Sequence, residues 1–192
     1  MALVDIDNRS VVAKIVYYGP AQSGKTTSLR AIYNAVPADQ RLDESEFDAD
    51  GEPTLFFDFV PLDLGDSSGM SITLRLFTVS GQEGKEDARR AVLTGADGIV
   101  FVADATAGRE GENARSMREL KNVLAGLHPG DPEAVPVVIQ YNKLDRADIS
   151  DPDALAAVFE ADDAPVVYAS ALQHRGPVEA LTLIAREVIR RL

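Results

Sequence analysis

The sequence contains no cysteine. That absence excludes disulfides, thiolate chemistry and cysteine-based zinc sites, and it leaves no C-terminal cysteine for prenylation. Basic residues are scarce: 19 Lys and Arg stand against 31 Asp and Glu, a net charge of −12. Such a surplus repels nucleic-acid backbones and anionic lipid, so neither is expected as a partner. Long apolar runs are missing too, which argues against a signal peptide or a membrane span. Ala2 occupies the position where N-myristoylation needs glycine. No lipid anchor is expected, and the expected location is the cytoplasm. There is no internal repeat, low-complexity tract or linker. With 192 residues and 45% hydrophobic content, the chain suits a single domain spanning 1–192 around one good core.

Against this background one stretch stands out: Gly19-Pro20-Ala21-Gln22-Ser23-Gly24-Lys25-Thr26, with Thr27 following. It fits GxxxxGK[ST], the phosphate-binding loop. The apolar, β-branched run within Val11 to Tyr18 predicts a buried strand before it, and Ser28 to Val36 predicts the helix it feeds. In that setting the glycines let backbone amides turn inward on phosphates, and the helix N-terminus points its positive end at them. Lys25 neutralises the β and γ oxygens, and Thr26 offers a hydroxyl to Mg²⁺.

The rest of the chain alternates strands and helices. Residues Met1 to Ser10 carry little pattern and suit either a short strand or a fraying end. Pro37 to Pro53 is acidic, with scattered apolar residues, and reads as a long exposed loop of the functional kind. Thr54 to Leu64 and Met70 to Val79 read as a hairpin around a turn at Gly65 to Gly69, with Pro61 making the first strand an edge or ending it early. Lys85 to Thr94 reads as helix, Asp97 to Ala103 as a buried parallel strand, and Glu112 to Leu127 as helix. Val135 to Tyr141 and Val166 to Ala169 read as strands, Pro152 to Phe159 and Pro177 to Arg191 as helices. This order predicts an α/β fold: a mostly parallel sheet with helices on both faces and one antiparallel strand from the hairpin. Ligands on such sheets sit at the carboxyl ends of the strands.

Asn142-Lys143-Leu144-Asp145 directly follows one of those strands. A phosphate loop near the N-terminus with Asn-Lys-x-Asp two-thirds along resembles the signature pair of the Ras-like small GTPases. The resemblance implies a P-loop NTPase of the Ras-like G-domain type, with a six-stranded sheet. It implies that Asp145 accepts hydrogen bonds from N1–H and the exocyclic amine of guanine, a donor pair adenine lacks. Asn142 would brace the loop, and Lys143 would lie along the base. Ser170-Ala171 resembles the last base-contacting loop, where a backbone amide meets the guanine oxygen.

Further stretches narrow the likeness: Val16-Tyr-Tyr-Gly-Pro, Thr54-Leu-Phe-Phe-Asp-Phe, Phe77-Thr-Val-x-Gly-Gln82, Asp97-Gly-Ile-Val-Phe-Val-Ala-Asp104 and Gln140-Tyr-Asn-Lys. Together they resemble the bacterial MglA-type GTPases of cell polarity and gliding motility, across nearly the whole chain. That resemblance implies GTP and GDP with Mg²⁺ as ligands, a dimeric roadblock-fold activator of the MglB kind, and an effector the sequence does not name. It implies that Thr54 is the switch I threonine that reaches Mg²⁺ and the γ-phosphate in the GTP state. Gln82 would orient the attacking water, and the Gly81 amide would contact the γ-phosphate. Thr78 stands where most small GTPases carry a metal-supporting aspartate, a departure that MglA-type proteins share.

Three departures bear on rate. Pro53 replaces the arginine that MglA-type proteins carry before the switch I threonine, and proline cannot stabilise transition-state charge. An arginine finger is worth about 10³ to 10⁵ in rate. Ala21 replaces a glycine whose site faces the γ-phosphate, and Ser80 replaces a proline before Gly81. The expected enzyme is a slow GTPase; the alternative is a GTP-binding interaction module with negligible hydrolysis. Arg41, Arg89 and Arg90 read as solvated surface charges rather than substitutes. Asp104 reads as a turn or cap residue, with metal support as its other reading. His128 and His174 have no partners at metal-ligand spacing, and Tyr17 and Tyr18 read as packing.

Overall fold

The computed structural model describes residues 3–5, 10–37, 41–49, 52–59, 71–79, 86–131, 133–151, 155 and 164–192, with the backbone alone at 3–5, 41–49, 52–59, 71 and 86. Its elements run β1 (Leu3–Asp5), β2 (Ser10–Tyr18), α1 (Lys25–Ala35), β3 (Arg41–Ala49), β4 (Glu52–Phe59) and β5 (Ser71–Thr78). They continue with α2 (Glu86–Leu93), β6 (Gly98–Asp104), α3 (Glu110–Leu127), β7 (Val137–Asn142), β8 (Val166–Tyr168) and α4 (Pro177–Ile189). A short 3₁₀ turn, Ala171–Gln173, lies between β8 and α4.

These strands form one eight-stranded sheet in the order β3-β4-β5-β2-β6-β7-β8, with β1 added along β2. The five strands from β5 to β8 in that order pair in parallel. β4 pairs antiparallel with β5, as the hairpin reading expects, and its last residue is Phe59, two short of Pro61. Among the described residues, the expectation of six strands with a single antiparallel one is corrected to eight strands with three antiparallel pairings, β1 and β4 running against the rest. The two additions are β3, antiparallel to β4, and β1, antiparallel to the start of β2.

β3 also corrects the reading of Pro37 to Pro53 as a loop. Its sequence, RLDESEFDA, lacks the apolar alternation of a half-buried strand. An edge strand needs only one neighbour to satisfy its backbone, and charge on an edge discourages pairing with other chains. The strong β-formers of β4 supply that neighbour, and Thr54 pairs with Phe47 while Pro53 pairs with Asp48. The turn at Gly65 to Gly69 lies outside the described residues. So does the helix expected over Pro152 to Phe159, apart from Leu155, which is buried.

Two apolar layers sandwich the sheet. Ala13, Ile15 and Tyr17 of β2, with Val100 and Val102 of β6, face Leu29 and Ile32 of α1 and Leu181, Ile184 and Val188 of α4. On the opposite face Val16 and Tyr18, with Ile99 and Phe101, meet Leu93 of α2 and Met117, Leu120 and Leu124 of α3. β6 is buried along its whole length, as expected for a central parallel strand covered on both sides. Tyr17 and Tyr18 are core residues. The alternation fixes which ends of β2, β6 and β7 come together, and these carboxyl ends carry the phosphate loop, Asp104 and Asn142.

The packing of α4 depends on Gly98. A Cβ there would stand 2.8 Å from Ile184 Cγ1, 2.8 Å from Val188 Cγ2 and 3.1 Å from Ile15 Cδ1. Gly98→Ala is therefore expected to destabilise the fold by about 1–3 kcal/mol through overpacking. Urea unfolding would check it, and Gly111→Ala, a position with open space around the added methyl, is the reference.

Candidate functional site

The phosphate loop leaves β2 at Gly19 and enters α1 at Gly24. Gly19 has φ +145, and a Cβ there would collide with the Val102 carbonyl oxygen. Gly24 has φ +99, and a Cβ there would collide with Asn142 Nδ2. Neither position can carry a side chain without moving the backbone or the asparagine. Gln22 is also left-handed, φ 61; for a non-glycine residue that costs on the order of 1–3 kcal/mol, so the surroundings must impose it.

Those surroundings hold the loop by its carbonyls. Lys25, buried, donates from Nζ to the carbonyls of Gly19 (3.0 Å) and Pro20 (2.7 Å). Asn142 Nδ2 donates to the Ser23 carbonyl at 2.8 Å. The Gly24 carbonyl accepts from both the Ser28 amide (2.8 Å) and the Ser28 hydroxyl (2.9 Å). In a trans peptide the carbonyl and the following amide point in opposite directions. With the Ser23 carbonyl drawn outward by Asn142, the Gly24 amide turns the other way, into the loop. The helix start carries no side-chain cap at Gly24. A buried cation, inward amides and two positions a Cβ would fill form a cradle that fits a di- or triphosphate. Ser23 Oγ is buried without a hydrogen-bond partner among the described residues.

Among the described residues no three His, Cys, Asp or Glu cluster to hold a metal. Magnesium at a phosphate site usually takes one or two protein oxygens and completes its shell from phosphates and water. The half-buried Thr26, next to Lys25 in the first turn of α1, is suited to that part. Thr27 is exposed, and Thr78 is buried at the end of β5. Thr54 lies in β4, where only its backbone is described. Gly81 and Gln82 lie outside the described residues.

At the end of β7, Asn142 is buried. Its second bond is to the Ala171 amide, which donates to Oδ1 at 2.9 Å. One carboxamide thus ties the phosphate loop to the Ser170-Ala171 loop. Asp145 is exposed at the mouth, and its Oδ1 accepts the buried Ser170 hydroxyl at 2.6 Å. That hydroxyl, more than any charged neighbour, draws the Asp145 carboxyl below the ordinary range. Lys143 takes a left-handed backbone, φ 75, and its ammonium lies 2.7 Å from Asp104 Oδ2.

Asp104 is the centre of a second cluster. Burial by itself would raise its pKa, but Lys143 and the Thr106 hydroxyl and amide outweigh that and hold the carboxyl below its usual range. Thr106 donates from Oγ1 at 2.6 Å and from its amide at 3.1 Å, the turn role read from the sequence. With its oxygens taken by these donors, Asp104 serves Lys143 rather than a metal. Its backbone is clasped by the buried Asn113, which accepts from the Asp104 amide (3.0 Å) and donates to its carbonyl (2.8 Å).

Three features escaped the sequence reading. Arg109, at the start of α3, reaches the Ala21 carbonyl from Nη2 at 3.3 Å and lies 3.5 Å from Asp104. Gln140 donates to the Ser28 hydroxyl at 2.8 Å, joining β7 to α1 beneath the loop. Arg89 is not a solvated charge: it is buried, bonds Glu119 of α3 at 2.6 Å and interacts with Tyr18 just before the phosphate loop. Motif scanning finds none of these, because each depends on a partner 30 or more positions away.

The depressed Asp104 carboxyl gives a pH prediction. A group whose folded pKa lies below its unfolded value contributes stability above the unfolded value, and this is lost as pH falls through the folded one. Unfolding free energy should therefore drop below about pH 4, and Asp104→Asn should lose less on the same descent. Urea denaturation of both proteins between about pH 6 and pH 2.5 checks it. An identical pH dependence in the two would contradict it.

No protein-family model matches the chain. Against curated proteins, the mutual gliding-motility protein MglA of Myxococcus xanthus is 35% identical over 192 residues, covering 100% of this chain and 98% of that protein. The Ras-related proteins Rab-7a and Rab-7b of Paramecium octaurelia are each 30% identical over 134 residues, 70% of this chain and 59% of theirs. With its whole length aligned and both loop motifs locked together at one end of the sheet, the chain belongs to the MglA family of Ras-like small GTPases.

Proposed function

We propose that this protein binds GTP and GDP with Mg²⁺ and acts as a molecular switch that hydrolyses GTP slowly. The observation that carries the reading is the Asn142 bridge, which holds a phosphate cradle and a guanine-selecting loop in one site. Lys25 and the inward amides of the loop bind the β and γ oxygens. Thr26 supplies a hydroxyl to Mg²⁺, and Thr54 adds a second in the GTP state. The metal neutralises charge on the phosphates. Asp145 selects guanine, prepared for it by Ser170, while Lys143 lies along the base with its charge balanced by Asp104. The Ala171 amide, shared with Asn142, faces the base oxygen. Gly81 and Gln82 act at the γ-phosphate, the first through its amide and the second by orienting water. Loss of the γ-phosphate releases the segments that carry Thr54 and Gln82, and partners read the difference.

Slow turnover follows from charge. Pro53, immediately before Thr54, offers no cation. Arg109, which reaches the loop at the Ala21 carbonyl, is balanced by Asp104 and by Glu112 at 2.6 Å, so it is a poor finger. The same facts favour a second reading, a GTP-dependent binding module with negligible hydrolysis. A dimeric roadblock-fold partner would separate the two by supplying charge or repositioning Gln82. The output pathway, cell polarity or motility, is part of this proposal on the strength of the MglA relative.

Single-turnover hydrolysis tests the switch. The protein alone should turn over GTP at about 10⁻⁴ per second, rising with the partner, whereas tight binding with no turnover in either condition leaves only the binding module. Asp145→Asn should weaken GTP and GDP binding by on the order of 10²-fold, since it removes a charged acceptor from two guanine donors. Unchanged guanine-nucleotide affinity in that variant would defeat both readings.

A further inference from the structure

Three of the carbonyls around the loop's tip are gripped from outside it: Ser23 by Asn142, Gly24 by Ser28 and Ala21 by Arg109. The first grip comes from the Asn-Lys-x-Asp loop and the second from α1. The third comes from α3, and nothing in the motifs calls for it. Arg109 is the residue immediately before that helix, with a backbone at φ −99, ψ 0. Its side chain is 29% exposed and lies between Asp104 and Glu112. Glu112 and the Ala21 carbonyl each accept a hydrogen bond from the guanidinium, while Asp104 lies 3.5 Å from Nε as an ion-pair neighbour without a hydrogen bond, and a planar fork anchored at two of its nitrogens has restricted freedom.

We propose that Arg109 is a positioning residue for the nucleotide's phosphates: by holding the Ala21 carbonyl outward, it turns the Gln22 amide inward toward them. The peptide between Ala21 and Gln22 is trans, so its amide must oppose its carbonyl. Gln22 is held left-handed at φ 61, a conformation a glutamine adopts only under constraint, and the Arg109 bond acts on the peptide that leads into it. Asp104 extends the effect. The same carboxylate oxygen that lies 3.5 Å from Arg109 Nε accepts Lys143 at 2.7 Å. The phosphate end of the site and the lysine along the base therefore share one buried anion, and a shift at either is felt at the other.

The inference rests on the nucleotide-binding reading, and the test separates the two. Release of a fluorescent GDP is followed in the wild type and in Arg109→Ala, Arg109→Met and Arg109→Lys, with phosphorus NMR of bound GDP. Arg109→Met keeps the apolar stem and removes the donors, which guards against loss of folding. Arg118→Ala, an exposed arginine on the same helix, controls for net charge. Release should quicken about tenfold in the Ala and Met variants, the scale of one charged hydrogen bond. Lys should recover part of that loss, and Arg118→Ala should behave as wild type. The β-phosphorus resonance should move while the α-phosphorus stays, a signature that a merely structural role would not give. A folded Met variant that releases GDP at the wild-type rate overturns the proposal, and so does quicker release with an unmoved β resonance. If the wild type itself binds no GDP, the nucleotide reading fails and takes this inference with it.

Discussion

The site depends on one buried carboxamide. Asn142 donates to the phosphate loop at Ser23 and accepts from the Ala171 amide, so two loops that never pair through their backbones share a single side chain. Inside a protein such bonds are strong and their loss is costly, since truncation leaves both a carbonyl and an amide unpaired. The constraint propagates outward. Gly24 must lack a side chain because Asn142 fills the space, Gly19 because the Val102 carbonyl does, and β7 must end where β2 ends for the asparagine to reach. The parallel register, Tyr17 beside Val100 and Val102 beside Gln140, is what delivers that alignment.

Around this bridge the protein concentrates cations in a chain whose overall charge is −12. Lys25, Lys143 and Arg109 converge on the carboxyl ends of β2, β6 and β7. Two of them are held by Asp104, which is buried and kept ionised by its donors. A buried ion pair is a weak source of stability but a good device for holding orientation. Lys25, in turn, donates to the Gly19 and Pro20 carbonyls, bonds that phosphate oxygens would replace.

Much of this was legible in the sequence because it is local. The strand, glycine loop and helix around Lys25 follow from period and motif, and β6 from an unbroken apolar run. The Asn-Lys-x-Asp loop follows from its position after a strand. What was not legible has two physical causes. β3 carries an acidic sequence because an edge strand takes its structure from a neighbour's hydrogen bonds, so its own residues hold no periodic signal. Arg89 reads as a solvated surface charge, and Arg109 and Gln140 carry no signal of their roles, because these arise from partners brought close only by the fold. Thr54 is placed by backbone in β4, while Gly81 and Gln82 lie outside the described residues.

The central claim is that one asparagine-locked site reads both guanine and phosphate, and calorimetric titration of the purified protein with GDP and, separately, ADP in Mg²⁺ tests it most directly. Saturable one-to-one binding of GDP, with ADP weaker by at least about 100-fold, is the expected result, because the Asp145 carboxylate has no donor pair to accept from adenine. Equal affinity for the two nucleotides, or no binding of either, would contradict it.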